Sequence, residues 1–180
     1  MSFFEFLMVL VGLVGAIAIS AILTYLGHIT RNWARVKNPT LFLMLTVWMI
    51  FNVIGHITGI WAFRFVDLES YMTVFVVMAP VIFFTLASTT LIPNTYRDAE
   101  SIDLDNVYFA SSRAVFCYLA LHEAAAWAAD YLPNVSGAPP ALFMFTMTTI
   151  FLVGMTTQNK TTHYVLISLV IASQLLPSLI

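Results

Sequence analysis

Six apolar runs divide this chain, and the first three hold no charged residue over 21 to 23 positions. They are Phe6–Leu26, Leu41–Phe63, Met72–Ile92, Val107–Ala129, Ala141–Thr157 and Tyr164–Leu179. A helix rises about 1.5 Å per residue, so roughly 20 residues cross a hydrocarbon core about 30 Å thick. Inside that core the amides of a lone segment must pair within the segment, so each run should be a helix. The runs predict an all-α, polytopic membrane helical bundle of six transmembrane helices in one domain, residues 1–180. The fourth run carries Arg113, His122 and Glu123 but is otherwise apolar. The last two are short, and Gln158-Asn159-Lys160 between them reads as a tight hairpin turn. A shallow or re-entrant hairpin is the alternative for this pair.

Composition removes whole classes of function. The chain is 61% hydrophobic and 9% charged, whereas soluble domains carry roughly 25% charged residues. So few charges cannot cover the surface of a soluble enzyme, and they exclude a nucleic-acid binder and a disordered chain. The net charge of −2 marks no polyanionic partner. One cysteine, Cys117, allows neither an intrachain disulfide nor a cysteine-rich zinc spacing. The opening Met-Ser-Phe-Phe-Glu-Phe lacks the cationic stretch of a signal peptide, so the first run reads as an uncleaved span.

Lysine and arginine give an orientation. With six spans, the connections 1–2, 3–4 and 5–6 share one side. That side holds Arg31, Arg35, Lys37, Arg97 and Lys160, with Arg113 at the start of span four, while the other holds Arg64 alone. The basic side belongs in the cytoplasm and both termini outside. Trp33, Tyr25, Trp61, Tyr71, Tyr96, Tyr108 and Tyr131 fall near the expected interfaces, where amphipathic rings settle.

Helices in lipid associate through small residues and interhelical hydrogen bonds. Gly12, Ala16, Ser20 and Thr24 recur every four residues in span one. Span four offers Ala120, Ala124, Ala125, Ala128 and Ala129. Asn52, Gly55, His56 and Gly59 share one face of span two, which should point into the bundle. Pro80 in span three should kink it and free carbonyls that need donors, with Thr85, Ser88, Thr89 and Thr90 nearby. Twenty kilodaltons gives few helices to enclose a path. A homo-oligomer in the lipid bilayer, most simply a dimer packed through Gly12, Ala16 and Ser20, is therefore expected. Other protein partners are not legible.

The constellation with chemical content is the four histidines and Glu123. His56 and His122 each lie 15 residues into an outward-running span and should share one depth, about 22 Å in. His28 and His163 both lie at the cytoplasmic edge. Two pairs at two depths are what a membrane cytochrome needs to hold haem. A His56, His122 and Glu123 cluster also suits a divalent metal or proton handling, since intramembrane ionisable groups mark function. The bland alternative is that each histidine only satisfies a neighbouring polar group. The candidate polar cluster is Asn52, His56, His122, Glu123 and Arg113, with Arg113 free to snorkel or to meet the acids of the third connection. Of those acids, Asp103 and Asp105 suit the start of span four, and Asp98 and Glu100 complete an acidic stretch without calcium-loop spacing. Motifs of serine hydrolases, zinc proteases, phosphate-binding loops and desaturase histidine boxes are absent from the sequence. Mid-span lysine, which a retinal Schiff base requires, is missing from the last span.

A broader pattern joins the Gly/Ala-rich first span, Arg31 and Arg35, Trp48, Trp61 with Arg64 and Asp67, and Pro93. It continues through Asp103-Leu104, Phe109, Arg113 and Phe116. Over roughly residues 10–120 this resembles a family of small uncharacterised bacterial multi-pass membrane proteins. The resemblance implies a helical bundle in a bacterial inner membrane and brings no known activity. The leading expectation is a non-enzymatic small transporter or channel, or an accessory membrane subunit. The alternatives are a haem- or metal-binding redox protein using His56/His122 and His28/His163, and a structural scaffold.

Overall fold

A computed structural model describes residues 3–64, 71–92, 101–132 and 141–175. The apolar runs are helices: α1 Phe3–Arg31, α2 Thr40–Gly59, α3 Tyr71–Leu91, α4 Leu104–Asp130, α5 Ala141–Thr156 and α6 Lys160–Leu175. Single 3-10 turns follow α1 at Trp33–Arg35 and α2 at Ile60–Phe63. α1 and α4 extend past their apolar runs at both ends, because the helical hydrogen-bond ladder does not stop where polarity begins, whereas α2 stops at Gly59, short of Phe63. Three segments, Phe3–Arg31, Thr40–Phe63 and Tyr71–Leu91, are long and apolar enough to cross a bilayer. With its outer faces carrying exposed Leu13, Phe51, Phe75 and Phe145, the protein is an all-α bundle built as an integral membrane protein.

The most extensive contacts are those of α4 with α3 and then with α5, while α1 lies on α3 and α2. That central position explains why α4 tolerates polar residues that lipid would reject: Ser112, His122 and Glu123 are all buried. Gly154 of α5 lets the Phe116 ring of α4 lie against its backbone, where a Cβ would collide with the ring. The α5–α6 turn is tight, as Gln158-Asn159-Lys160 predicts. The Asn159 side chain accepts from the Thr162 amide at 3.2 Å and caps α6.

Three connections meet at one end of the bundle. Val36–Lys37 (β1) pairs in parallel with Ile102–Asp103 (β2). Asn38 takes a left-handed backbone, φ 50°, and its amide donates to the Asp103 carboxylate at 3.3 Å. Asp103 also caps α4 by accepting from the Asp105 amide at 3.1 Å. Lys160 forms an ion pair with Asp105, and that hydrogen bond holds its ammonium above the ordinary lysine range. These contacts occupy Asp103 and Asp105; Asp98 and Glu100 lie outside the described residues. Tyr108 donates its hydroxyl proton to Nδ1 of His163 across 2.6 Å, tying α4 to α6.

One expectation about helix faces needs correction, that Tyr25 and Tyr108 sit at the membrane interfaces. The α1 face that enters the bundle is Leu7, Val11, Gly15, Ala18, Ile22, Tyr25 and Ile29. Ala16, Ser20 and Thr24 are exposed, and a Cβ on Gly12 would meet nothing within 4 Å. Among the described residues the small-residue stripe thus faces outward. Tyr25 and Tyr108 turn inward, because each lies on the buried side of its helix. Trp33, Trp61, Tyr71 and Tyr131 are exposed as expected of interface rings, and Tyr96 lies outside the described residues.

Replacing Gly154 by leucine should lower stability by about 1–3 kcal/mol, the range for overpacking a filled contact. Thermal unfolding in detergent measures it, and a midpoint equal to the parent protein's would contradict the α4–α5 packing.

Candidate functional site

Asn52 and His56 lie one turn apart on α2 and face the same way. His122 and Glu123 approach them from α4. Nε2 of His56 is 2.9 Å from Nε2 of His122. Nδ1 of His122 is 2.9 Å from the Pro80 carbonyl oxygen of α3. A carbonyl only accepts, so in the neutral pair Nδ1 of His122 carries its proton and Nε2 is the lone pair. The Nε2–H of His56 then donates to His122, leaving Nδ1 of His56 as an acceptor. A directional chain thus runs from α2 through α4 to α3. Phe84 flanks both rings, its centroid 5.2 Å from His122 and 6.3 Å from His56.

The carbonyl that Pro80 leaves without its helical donor is that of Val76, four residues back, whereas the His122 bond goes to the carbonyl of Pro80 itself. The helix continues through Pro80. Thr85, Ser88 and Thr89 donate to carbonyls one turn back in α3 itself, those of Val81, Phe84 and Thr85, and Thr85 also lies 3.2 Å from the Val14 carbonyl of α1. Short hydroxyl side chains reach the preceding turn of their own helix most easily. The group donating to the carbonyl at the proline is the longer imidazole of His122, from the neighbouring helix.

A cavity of about 330 Å³ opens beside the histidine pair. Asn52, His56, His122 and Glu123 line its polar side, and Asp130 lies on its lining where α4 ends. Glu123 is 9% exposed. Its carboxylate is 3.9 Å from Nε2 of His122 and has no hydrogen-bond partner among the described residues. Nδ2 of Asn52 is likewise buried without a partner. Burial pushes the Asp130 carboxyl above the usual aspartate range. Asp130 falls in a connection by hydropathy, yet it sits seven residues after Glu123, on the same face of α4. That spacing is the signal by which the sequence reveals it.

Four of the five residues in the expected cluster thus come together. Arg113 stands apart, exposed on α4, and Lys160 takes the Asp105 partner it was free to meet. Gly59 lines the cavity, but Gly55 is exposed with open space around it. The inner histidine pair does not form. His163 accepts from Tyr108 and donates Nε2–H to the Thr157 carbonyl at 3.1 Å. His28 stacks against Tyr25 of its own helix.

In this geometry the His56–His122 pair is not spaced for the two faces of a haem. Two imidazoles on opposite faces of a haem iron hold their nitrogens about 4 Å apart, across two bonds of about 2 Å each. The 2.9 Å between His56 and His122 is a hydrogen-bond distance. Among the described residues no three His, Cys, Asp or Glu side chains converge as ligands of a divalent metal would.

Replacing His122 by phenylalanine strands the His56 N–H and removes the side-chain donor to the Pro80 carbonyl. A group left unpaired costs about 1–3 kcal/mol. A double-mutant cycle with His56→Phe, read by thermal unfolding, should be non-additive, and strict additivity would contradict the direct bond. In comparisons with known proteins, the chain matches no family model, no curated protein and no solved structure.

Proposed function

We propose that the chain is a non-enzymatic, transporter- or channel-like protein of the bacterial inner membrane. It crosses the bilayer six times with both termini outside. The observation that carries this reading is the cavity, with the His56–His122 chain and Glu123 on its polar side. Ionisable groups are expensive in a membrane interior and concentrate along solute and proton paths. A bundle needing polar contacts only for stability would close around them, as it does around Tyr108 and His163.

The orientation is supported by the meeting of the first, third and fifth connections. Lys37 and Lys160 lie at that end with Arg31 and Arg35, while Arg64 ends the turn after α2 at the other. Helices α5 and α6 have 16 residues each and rise about 24 Å, so their crossing goes with a locally thinned bilayer or a shared protein surface. The outward stripe of Gly12, Ala16 and Ser20 supports a homodimer, since small residues let helix backbones of two copies approach closely.

Two measurements test the reading. In proteoliposomes a pH gradient should drive a flux that Glu123→Gln alters in its pH dependence; a flux absent from the parent protein, or unchanged by that substitution, argues against transport. Gly12→Leu with Ala16→Leu should convert a dimer to a monomer by light scattering in nanodiscs without lowering the unfolding midpoint. A parent protein that is monomeric in nanodiscs removes the dimer.

A further inference from the structure

We propose that the cavity beside His56 and His122 binds a small organic monocation, an amine with an apolar body, as the solute of the path inferred above. The word solute rests on that transport reading; the charge and shape of the ligand rest on the cavity itself.

The volume, about 330 Å³, falls in the range of small-molecule sites and equals roughly ten water molecules. Its polar side is rich in acceptors. Glu123 and Asp130 bring two carboxylates, and none of the described residues lining the cavity is lysine or arginine. Glu123 is nine-tenths buried and, among the described residues, has only the 3.9 Å contact with His122 and no hydrogen bond. A buried carboxylate left so is costly, and a counter-ion with hydrogen bonds relieves it. His122 cannot supply that donor, because its Nδ1–H is committed to Pro80 and its Nε2 accepts from His56. His56 contributes Nδ1 as one more acceptor. The unpartnered donor on this side is Nδ2 of Asn52.

An ammonium group brings two or three N–H donors and one positive charge to this set. A carboxylic acid anion would meet two like charges, and a neutral alcohol would leave the carboxylates uncompensated. A bare divalent cation needs six or more oxygen ligands, or a convergent set of three protein ligands with water, and the described residues hold no such convergence. The remaining wall includes Phe63 and Phe143, which suit an apolar body.

The test measures equilibrium binding separately from flux. Benzylamine, benzyl alcohol and benzoate are titrated calorimetrically into protein in nanodiscs, with empty nanodiscs as the blank. Benzylamine should bind saturably, and the alcohol and benzoate at least about tenfold more weakly, the order expected of a charge-assisted hydrogen bond. Glu123→Gln should weaken benzylamine by a similar factor. Ala126→Phe should fill the cavity and abolish binding while keeping both carboxylates. Circular dichroism and a single size-exclusion peak establish that each variant is folded. The proposal is overturned if benzoate binds as well as benzylamine, or if both folded variants bind benzylamine like the parent. It is equally overturned if the folded parent shows no saturable binding, and an intact proton flux in that protein would leave the transport reading standing. Binding lost in Glu123→Gln without any flux in proteoliposomes upholds the site and removes transport.

Discussion

A polar group inside an apolar bundle has to find its partner in protein, and His122 meets that demand by joining three helices. It gives its Nδ1 proton to the Pro80 carbonyl of α3 and receives the His56 proton from α2. The arrangement depends on each member. Proline removes a backbone N–H and disturbs the carbonyl ladder around it. The imidazole of His122 crosses from α4 to α3, whereas Ser88 and Thr89 bond within their own helix and Thr85 also reaches the Val14 carbonyl of α1. With both nitrogens of His122 engaged, the tautomer of His56 follows, and so does the acceptor character of the cavity side. The geometry of one buried ring therefore reaches from helix packing to the chemistry of the site.

The opposite end of the bundle is tied in another way. There β1 and β2 pair, Asn38 and Lys160 hold the acids at the start of α4, and Tyr108 and His163 link α4 to α6. The interior between α4 and α6 is filled at that level, with Tyr108 and His163 fully buried. At the histidine level the cavity remains, extending to Asp130 where α4 ends. A closed end and a hollow one give the bundle a polarity along its axis.

Much of the architecture was legible in the residues. Charge-free runs of 21 to 23 residues leave helix as the solution for a chain in hydrocarbon, and Asp103 and Asn159 mark helix starts by side-chain chemistry alone. The shared depth of His56 and His122 follows from counting residues at a fixed rise per residue. Rotation about each helix axis was less accessible. Ala16 and Ser20 form a regular stripe, yet the structure turns them outward, while the less regular face of Val11, Gly15 and Ala18 enters the core. In a chain apolar all round, periodicity carries little information about which face meets protein and which meets lipid.

The sequence by itself determined that this chain forms membrane-length helices and at what height along each helix its polar residues lie. Both follow from local quantities, the cost of an unpaired amide in hydrocarbon and the constant rise of a helix. Only the tertiary structure decided which polar residues meet. It brought His122 to Pro80, separated His28 from His163, left Arg113 on the surface, and carried Asp130 to the cavity. Those outcomes depend on rotation and on neighbours far away in the chain, which no single run of residues encodes.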